Sequence, residues 1–340
     1  MERGESAASR PASHESGGDR GSGATRSATT TLVLGGPGTG KTARVLAAAE
    51  EARTAVDASA DGGKPRSAFQ PGLLGERPRP TERRATGEPI IVAVSASAAT
   101  TLRNRAGQPG ADDPRDAAPP RQPNAPRVLT VPGVALLVLR ETAPAGVRPP
   151  RLIGRSERLA MLHEFVASRD LASGAPTAAD LLERIDRLAA HGIDADRVET
   201  WAAALADGPF AARQREFGAL VRRHEGLLES RGLLSSPMAV LAARRALAGT
   251  ELPGRFSLIA VDDAQELPPA DLDLILDVAR ASRAPLLATA DDDQSPRGGD
   301  AAAAPIRAML QHSPDAAVVH LERSQRLKAG VAYAAELVVA

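Results

Sequence analysis

Residues 33–46, VLGGPGTGKTARVL, constrain the fold of this chain more than any other stretch. Gly35, four intervening residues and then Gly40-Lys41-Thr42 fit the pattern G-x-x-x-x-G-K-[ST], in which backbone N–H groups close around a phosphate. The loop works only between a strand and a helix, because the helix N-terminus adds its positive dipole end to the amides. Both flanks are present. TTTLVL (Thr29 to Leu34) is β-branched and apolar, whereas KTARVLAAAEEAR (Lys41 to Arg53) is rich in helix formers. The pattern makes Gly35, Gly36, Pro37, Gly38, Thr39, Gly40, Lys41 and Thr42 the candidate nucleotide-binding loop. Lys41 is expected on the β- and γ-phosphates and the Thr42 hydroxyl on Mg²⁺. Lysine is otherwise found only at Lys64 and Lys328 among 42 basic residues, so its retention at position 41 in an arginine-biased chain is informative.

The alternation of element types extends this reading. EPIIVAVSASAATTLRNR predicts a strand over Ile90 to Val94 and then a short helix, and RVLTVPGVALLVLRE again reads as strand then helix. Strands alternating with helices predict an α/β fold with a parallel sheet. From Arg155 to Gly249 the pattern changes to five helical stretches without a convincing strand, including an amphipathic one with Phe217, Leu220, Val221, Leu227 and Leu228 among Arg and Glu. Strands then resume, ending at Asp262, near Asp291 and at Leu321. The division expected is a disordered tail at 1–28, a first α/β part at 29–150, a helical insertion at 151–250 and a second α/β part at 251–340. Pro/Gly/charge-rich surface insertions are expected near 56–88 and 107–126.

Two strand ends carry carboxylates. An apolar strand that closes on Asp beside a phosphate loop can hold Mg²⁺ directly or through water, and a second acid can orient an attacking water. Asp262 and Asp263 occupy these positions. The competing explanation is that one of them caps the helix starting near Pro268, and that Asp291 to Ser295 is a solvated acidic turn.

Taken in order, GGPGTGKT, VDDAQEL, ADDDQS and LERSQR resemble the N-terminal motor half of UvrD/Rep-type superfamily 1 DNA helicases, and within them actinobacterial UvrD-like proteins of the AdnA/AdnB type. The resemblance covers Thr29 to Ala340. It implies a P-loop NTPase with a RecA-like parallel sheet and an all-α inserted subdomain, ATP and Mg²⁺ as cofactors, and single-stranded DNA as a partner. It further implies that Asp262 joins Thr42 on the metal and that Asp263 takes the water-orienting place. Gln265 would sense the nucleotide state, Gln294 would sit by the γ-phosphate, and Arg326 would contact it. Val94 to Arg105 and Leu129 to Arg140 fall where the family carries its first DNA-contacting segments. The family continues into a second RecA-like domain bearing an arginine finger, so by resemblance this chain reads as half a motor that binds nucleotide better than it hydrolyses it. Asp263 stands where the family has glutamate, and Glu266 where it has aspartate.

Composition bounds these expectations. Acidic and basic residues balance at 42 each, so any DNA contact must be local; Arg213, Arg215, Arg222 and Arg223 are the candidate cluster, unless they pair with Glu216, Glu225 and Glu229. Aromatic residues are only 2%, which limits base stacking. No cysteine is present and the six histidines are scattered, which removes disulfides and thiolate metal sites. No secretory or membrane-spanning segment is evident, so a cytoplasmic protein with no membrane partner is expected. Two other classes fit the same residues: a P-loop ATPase with no DNA track, and a non-catalytic nucleotide-binding or interaction module.

Overall fold

The computed structural model describes residues 29–36, 38–60, 87–106, 126–167, 176–291 and 300–321. The expected tail at 1–28, most of the insertions near 56–88 and 107–126, and the site residues Pro37, Gln294 and Arg326 lie outside the described residues.

Six strands form one sheet: β1 (Thr30–Gly35), β2 (Glu88–Ala93), β3 (Arg127–Thr130), β6 (Phe256–Val261), β7 (Leu286–Ala290) and β8 (Ala317–Leu321). Their order is β3-β2-β6-β7-β1-β8, and every pairing is parallel. The fold is therefore α/β with a parallel central sheet, as the alternation of elements predicts. All strand ends consequently open on one edge of the sheet. Strand β7 lies between β1 and β6, with Thr30 opposite Leu286 and Ile259 also opposite Leu286.

Both faces are covered, which is why the central strands are nearly continuous apolar runs. On one face, Val33, Ile91, Ala93, Leu258, Ala260 and Leu287 pack with Val45, Ala48 and Ala49 of α1 (Lys41–Ala60) and with Ala99 and Leu102 of α2 (Ala96–Arg105). On the other, Leu32, Leu34, Ile90, Val92, Ile259, Val261 and Ala288 pack with α3 (Val131–Thr142) and with three later helices, α8 (Ser236–Leu247), α9 (Pro269–Ser282) and α10 (Asp300–His312). Fully buried aliphatic side chains such as Ile90 and Ile259 each contribute about 1.5–3 kcal/mol relative to exposure.

The segment between β3 and β6 contains α4 (Arg155–Ala167), α5 (Ala178–Ala190), α6 (Ala195–Ala203), α7 (Pro209–Ser230) and α8. Leu162, Leu182, Ile185, Val198, Phe217, Leu220 and Val221 form an apolar cluster of their own among α4 to α7, whereas α8 joins the main core. Asp194 and Thr177 cap α6 and α5, the latter through a reciprocal capping box with Asp180.

Several sequence expectations are corrected. Helix α1 continues to Ala60, past the expected start of the first insertion, and its Val56 is buried. The region 155–249 does contain a strand, the two-residue β5 (Leu233–Leu234), paired in parallel with β4 (Arg151–Leu152). On α7, Phe217, Leu220, Val221 and Leu228 are buried but Leu227 is 37% exposed. Among the described residues no helix is long and apolar enough to cross a membrane.

Candidate functional site

The Gly-rich loop leaves the carboxyl end of β1 and runs into α1. Gly38 and Gly40 have φ of 74° and 92°, a region where side chains are strained and glycine is not. A Cβ on Gly35 would lie 2.7 Å from the Thr39 hydroxyl and 2.8 Å from Leu321 Cβ, so close packing also requires glycine there. A Cβ on Gly36 would meet nothing within 4 Å. The Thr39 hydroxyl donates to the Gly36 carbonyl at 2.9 Å and closes the turn.

Lys41 does not project freely from the loop. Its ammonium donates to the Gly35 carbonyl, to the Gly36 carbonyl at 3.3 Å and to Asp291 Oδ2 at 2.9 Å. Both partners of this ion pair are buried, with side-chain exposures of 9% and 1%. All three ammonium protons thus have acceptors within the protein. Asp291, immediately after β7, is consequently no solvated turn residue.

Asp262, immediately after β6, is held from two sides. The Thr42 hydroxyl donates to its Oδ2 at 2.8 Å and the Thr289 hydroxyl donates to its Oδ1 at 2.8 Å. Burial raises the pKa of Asp262 and the neighbouring Asp263 charge raises it further, against the lowering effect of the two hydroxyl bonds and of Lys41. Asp263 takes left-handed backbone angles, φ 55° and ψ 49°, which aspartate tolerates better than most residues. Its N–H donates to Thr289 Oγ1 at 3.2 Å. The chain then enters a 3₁₀ turn (Ala264–Glu266). Neither acid caps the following helix: Pro268 is the residue at the N-cap of α9, and Asp263 makes no side-chain cap bond to the turn.

Gln265, 2% exposed, completes the arrangement. Its Oε1 accepts from the Asp291 N–H at 3.2 Å and its Nε2 donates to Asp263 Oδ1 at 3.4 Å. The structure therefore brings together Gly35, Gly36, Gly38, Thr39, Gly40, Lys41, Thr42, Asp262, Asp263 and Gln265 at the carboxyl ends of β1, β6 and β7. Reading the sequence missed Thr289 and the Lys41–Asp291 pair. Asp291 carried a usable signal, an aspartate closing an apolar strand as Asp262 does.

The donor set fits Mg²⁺. Thr42 and Asp262 place two hard oxygens 2.8 Å apart. Such a pair is compatible with Mg²⁺, which keeps several waters and completes its shell with substrate phosphates. The expected arginine cluster is different in kind. Arg222 pairs with Glu199 at 2.7 Å and with Asp196, and Arg215 pairs with Asp207 at 2.9 Å. These partners of Arg215 and Arg222 lie in the loop before α7 and on α6.

No family model matches the chain, and no curated protein matches it.

Proposed function

We propose that this chain is the ATP-binding motor half of a UvrD-like DNA helicase or translocase. In this reading residues 29–150 and 251–340 are the two parts of a RecA-like P-loop unit, and residues 151–250 are its inserted helical subdomain. The observation that carries the reading is the meeting of three strand ends: the Gly-rich loop after β1, Asp262 after β6 and Asp291 after β7 share one set of hydrogen bonds through Lys41, Thr42 and Gln265. In open parallel sheets, ligands bind outside the carboxyl ends of the strands.

The residues act as follows. The loop amides and the N-terminus of α1 receive the phosphates, and Lys41 turns from Asp291 and the loop carbonyls to the terminal phosphates. Thr42 and Asp262 would hold Mg²⁺, which when bound would neutralise charge on the phosphates. Asp263 accepts a proton from, or orients, the attacking water. Its side chain is one methylene shorter than the glutamate of the resembled family, which weakens that positioning. Gln265 bonds both Asp263 and the backbone of Asp291, the partner of Lys41; movement of Lys41 onto phosphate is therefore felt at the residue that orients water. An arginine finger comes from a second RecA-like domain, whether on the same protein or on a partner subunit. Single-stranded DNA runs along the segments after β2 and β3, where Ser95 and Thr130 are the N-cap residues of α2 and α3, on the same sheet edge as the loop.

The test is binding of a fluorescent ATP analogue, followed by steady-state ATP hydrolysis with and without single-stranded DNA and with a second RecA-like domain supplied by fusion. Nucleotide binding with DNA-stimulated turnover only in the fusion is the expected result. A folded chain with no nucleotide affinity overturns the reading. Turnover indifferent to DNA replaces it with a P-loop ATPase that has no DNA track, and binding with no turnover in any combination replaces it with a non-catalytic module.

A further inference from the structure

We propose that Thr289 is a positioning residue that presets the Asp262 carboxylate for Mg²⁺ and pins the backbone of Asp263. The inference rests on the nucleotide-binding reading above. Thr289 is fully buried in β7, and its one hydroxyl makes contact with both acids. Its proton has two acceptors in reach, Asp262 Oδ1 at 2.8 Å and the Val261 carbonyl at 3.5 Å; the shorter and charge-assisted contact to Asp262 is the stronger. Its lone pair takes the Asp263 N–H at 3.2 Å.

These contacts divide the work at Asp262. Thr42 and Thr289 each hold one carboxylate oxygen, Oδ2 and Oδ1 respectively. Thr42 would belong to the metal set, so its bond to Oδ2 would be given up to a bound metal. Thr289 is outside that set and keeps hold of Oδ1, leaving Oδ2 aimed at the phosphate loop. An outer partner of this kind is worth about 10- to 100-fold in metal affinity. The second contact satisfies the N–H of a residue at φ 55°, a conformation that persists only where its surroundings fix it. One hydroxyl therefore sets the metal-holding acid and the water-orienting acid together.

Thr289→Val keeps the shape and the β-branch and removes the hydroxyl; Thr289→Ser keeps the hydroxyl. The affinity of a fluorescent ATP analogue for the full chain is measured in excess Mg²⁺ and in EDTA, and amide exchange at Asp263 is followed by NMR without nucleotide. The expected result for Thr289→Val is loss of about 10-fold or more of the Mg²⁺-dependent affinity, EDTA affinity within about twofold of the parent, and faster exchange at Asp263, with Thr289→Ser restoring all three. A Thr289→Val variant whose Mg²⁺ and EDTA affinities fall in parallel, or whose Asp263 exchange is unchanged, overturns the inference while leaving the functional reading in place. An unsubstituted chain that binds no analogue, or binds it regardless of Mg²⁺, overturns both.

Discussion

The buried ion pair between Lys41 and Asp291 makes a prediction that separates folding from function. A phosphate-loop lysine is ordinarily expected to be dispensable for the fold, since its partner is the nucleotide. Here its side chain is 9% exposed and touches a carboxylate that is 1% exposed. Lys41→Met removes the ammonium from that buried carboxylate, and breaking a buried pair from one side costs about 3–5 kcal/mol. Asp291→Asn is milder. The asparagine carbonyl still accepts from Lys41, and the lysine retains the Gly35 and Gly36 carbonyls, so the loss is about 1–2 kcal/mol, the scale of one hydrogen bond weakened from charged to neutral. The double variant leaves no charge stranded, and its stability should return to within about 1–2 kcal/mol of the parent, because well-packed neutral replacements of buried pairs are nearly neutral.

Nucleotide affinity should run in a different order. On the proposed reading, an incoming phosphate must take Lys41 from Asp291 and then lie near that carboxylate. Asp291→Asn removes both obstacles, and recovering the 1–2 kcal/mol lost in the free protein corresponds to about 5- to 30-fold tighter binding. Lys41→Met and the double variant should bind at least 100-fold more weakly. Denaturant unfolding of all four proteins gives the stability cycle, and titration with a fluorescent ATP analogue gives the affinities. Weaker nucleotide binding by folded Asp291→Asn would refute the competition argument and make Asp291 an aid that orients the lysine. A Lys41→Met chain no less stable than Asp291→Asn would refute the account of the buried charge.

Three further outcomes are expected. Gly36→Ala should leave stability within about 0.5 kcal/mol of the parent, as a surface change that meets nothing within 4 Å, yet weaken binding of the ATP analogue; unaltered affinity would mean that phosphate does not approach Gly36. His224 is buried beside Arg158 and Asp186, and burial first, then the Arg158 charge, lowers its pKa to about 4. The folded value lies below the unfolded one, so its contribution is complete above about pH 6.5 and is lost as pH falls toward 4, up to about 3 kcal/mol; His224→Leu should flatten that part of the unfolding profile, and an identical slope in both proteins would refute it. Arg213 is exposed and makes no ion pair among the described residues, whereas Arg222 already holds Glu199 and Asp196. Arg213→Glu should therefore lower single-stranded DNA affinity and its salt slope more than Arg222→Glu does, as read by fluorescence anisotropy at two salt concentrations; equal effects would place the DNA elsewhere.

What could be read in the sequence, and what could not, follows from how far each feature reaches along the chain. The Gly-rich loop, the start of the helix that follows it and the apolar strands closing on Asp262 and Asp291 are local patterns, and the structure keeps them within a residue or two, although the helix itself runs on to Ala60. Thr289 is different. A lone threonine one position before the end of an apolar strand has no signature, and its role depends on β7 lying beside β6, a strand order that no local pattern specifies. The partners of Arg222 were missed for the same reason. Spacing along α7 suggests carboxylates three or four residues away, but Asp196 and Glu199 come from the neighbouring helix. The β4–β5 pair is two residues long on each side, too short for alternation to register.

Once strand order is known, the period of two along a strand accounts for the rest of the site. Leu258 and Ala260 of β6, and Leu287 of β7, face α1. Side chains alternate, so Asp262 continues the first row, and Thr289 and Asp291 continue the second, all on the α1 side of the sheet. Lys41 and Thr42 open that helix directly above them. The contacts Thr42–Asp262, Thr289–Asp262 and Lys41–Asp291 are thus the consequence of one helix laid over two adjacent strands, and a register slip of one residue in either strand would turn its acid away from α1. Asp263 is out of phase with this row and would face the α9 side if β6 continued. The left-handed turn at φ 55° ends the strand instead, and the 3₁₀ turn brings Gln265 back to bond both Asp263 and the Asp291 backbone. Strain at a single aspartate is therefore what returns the out-of-phase acid to the site, and the Thr289 hydroxyl on its N–H is the contact that holds it there.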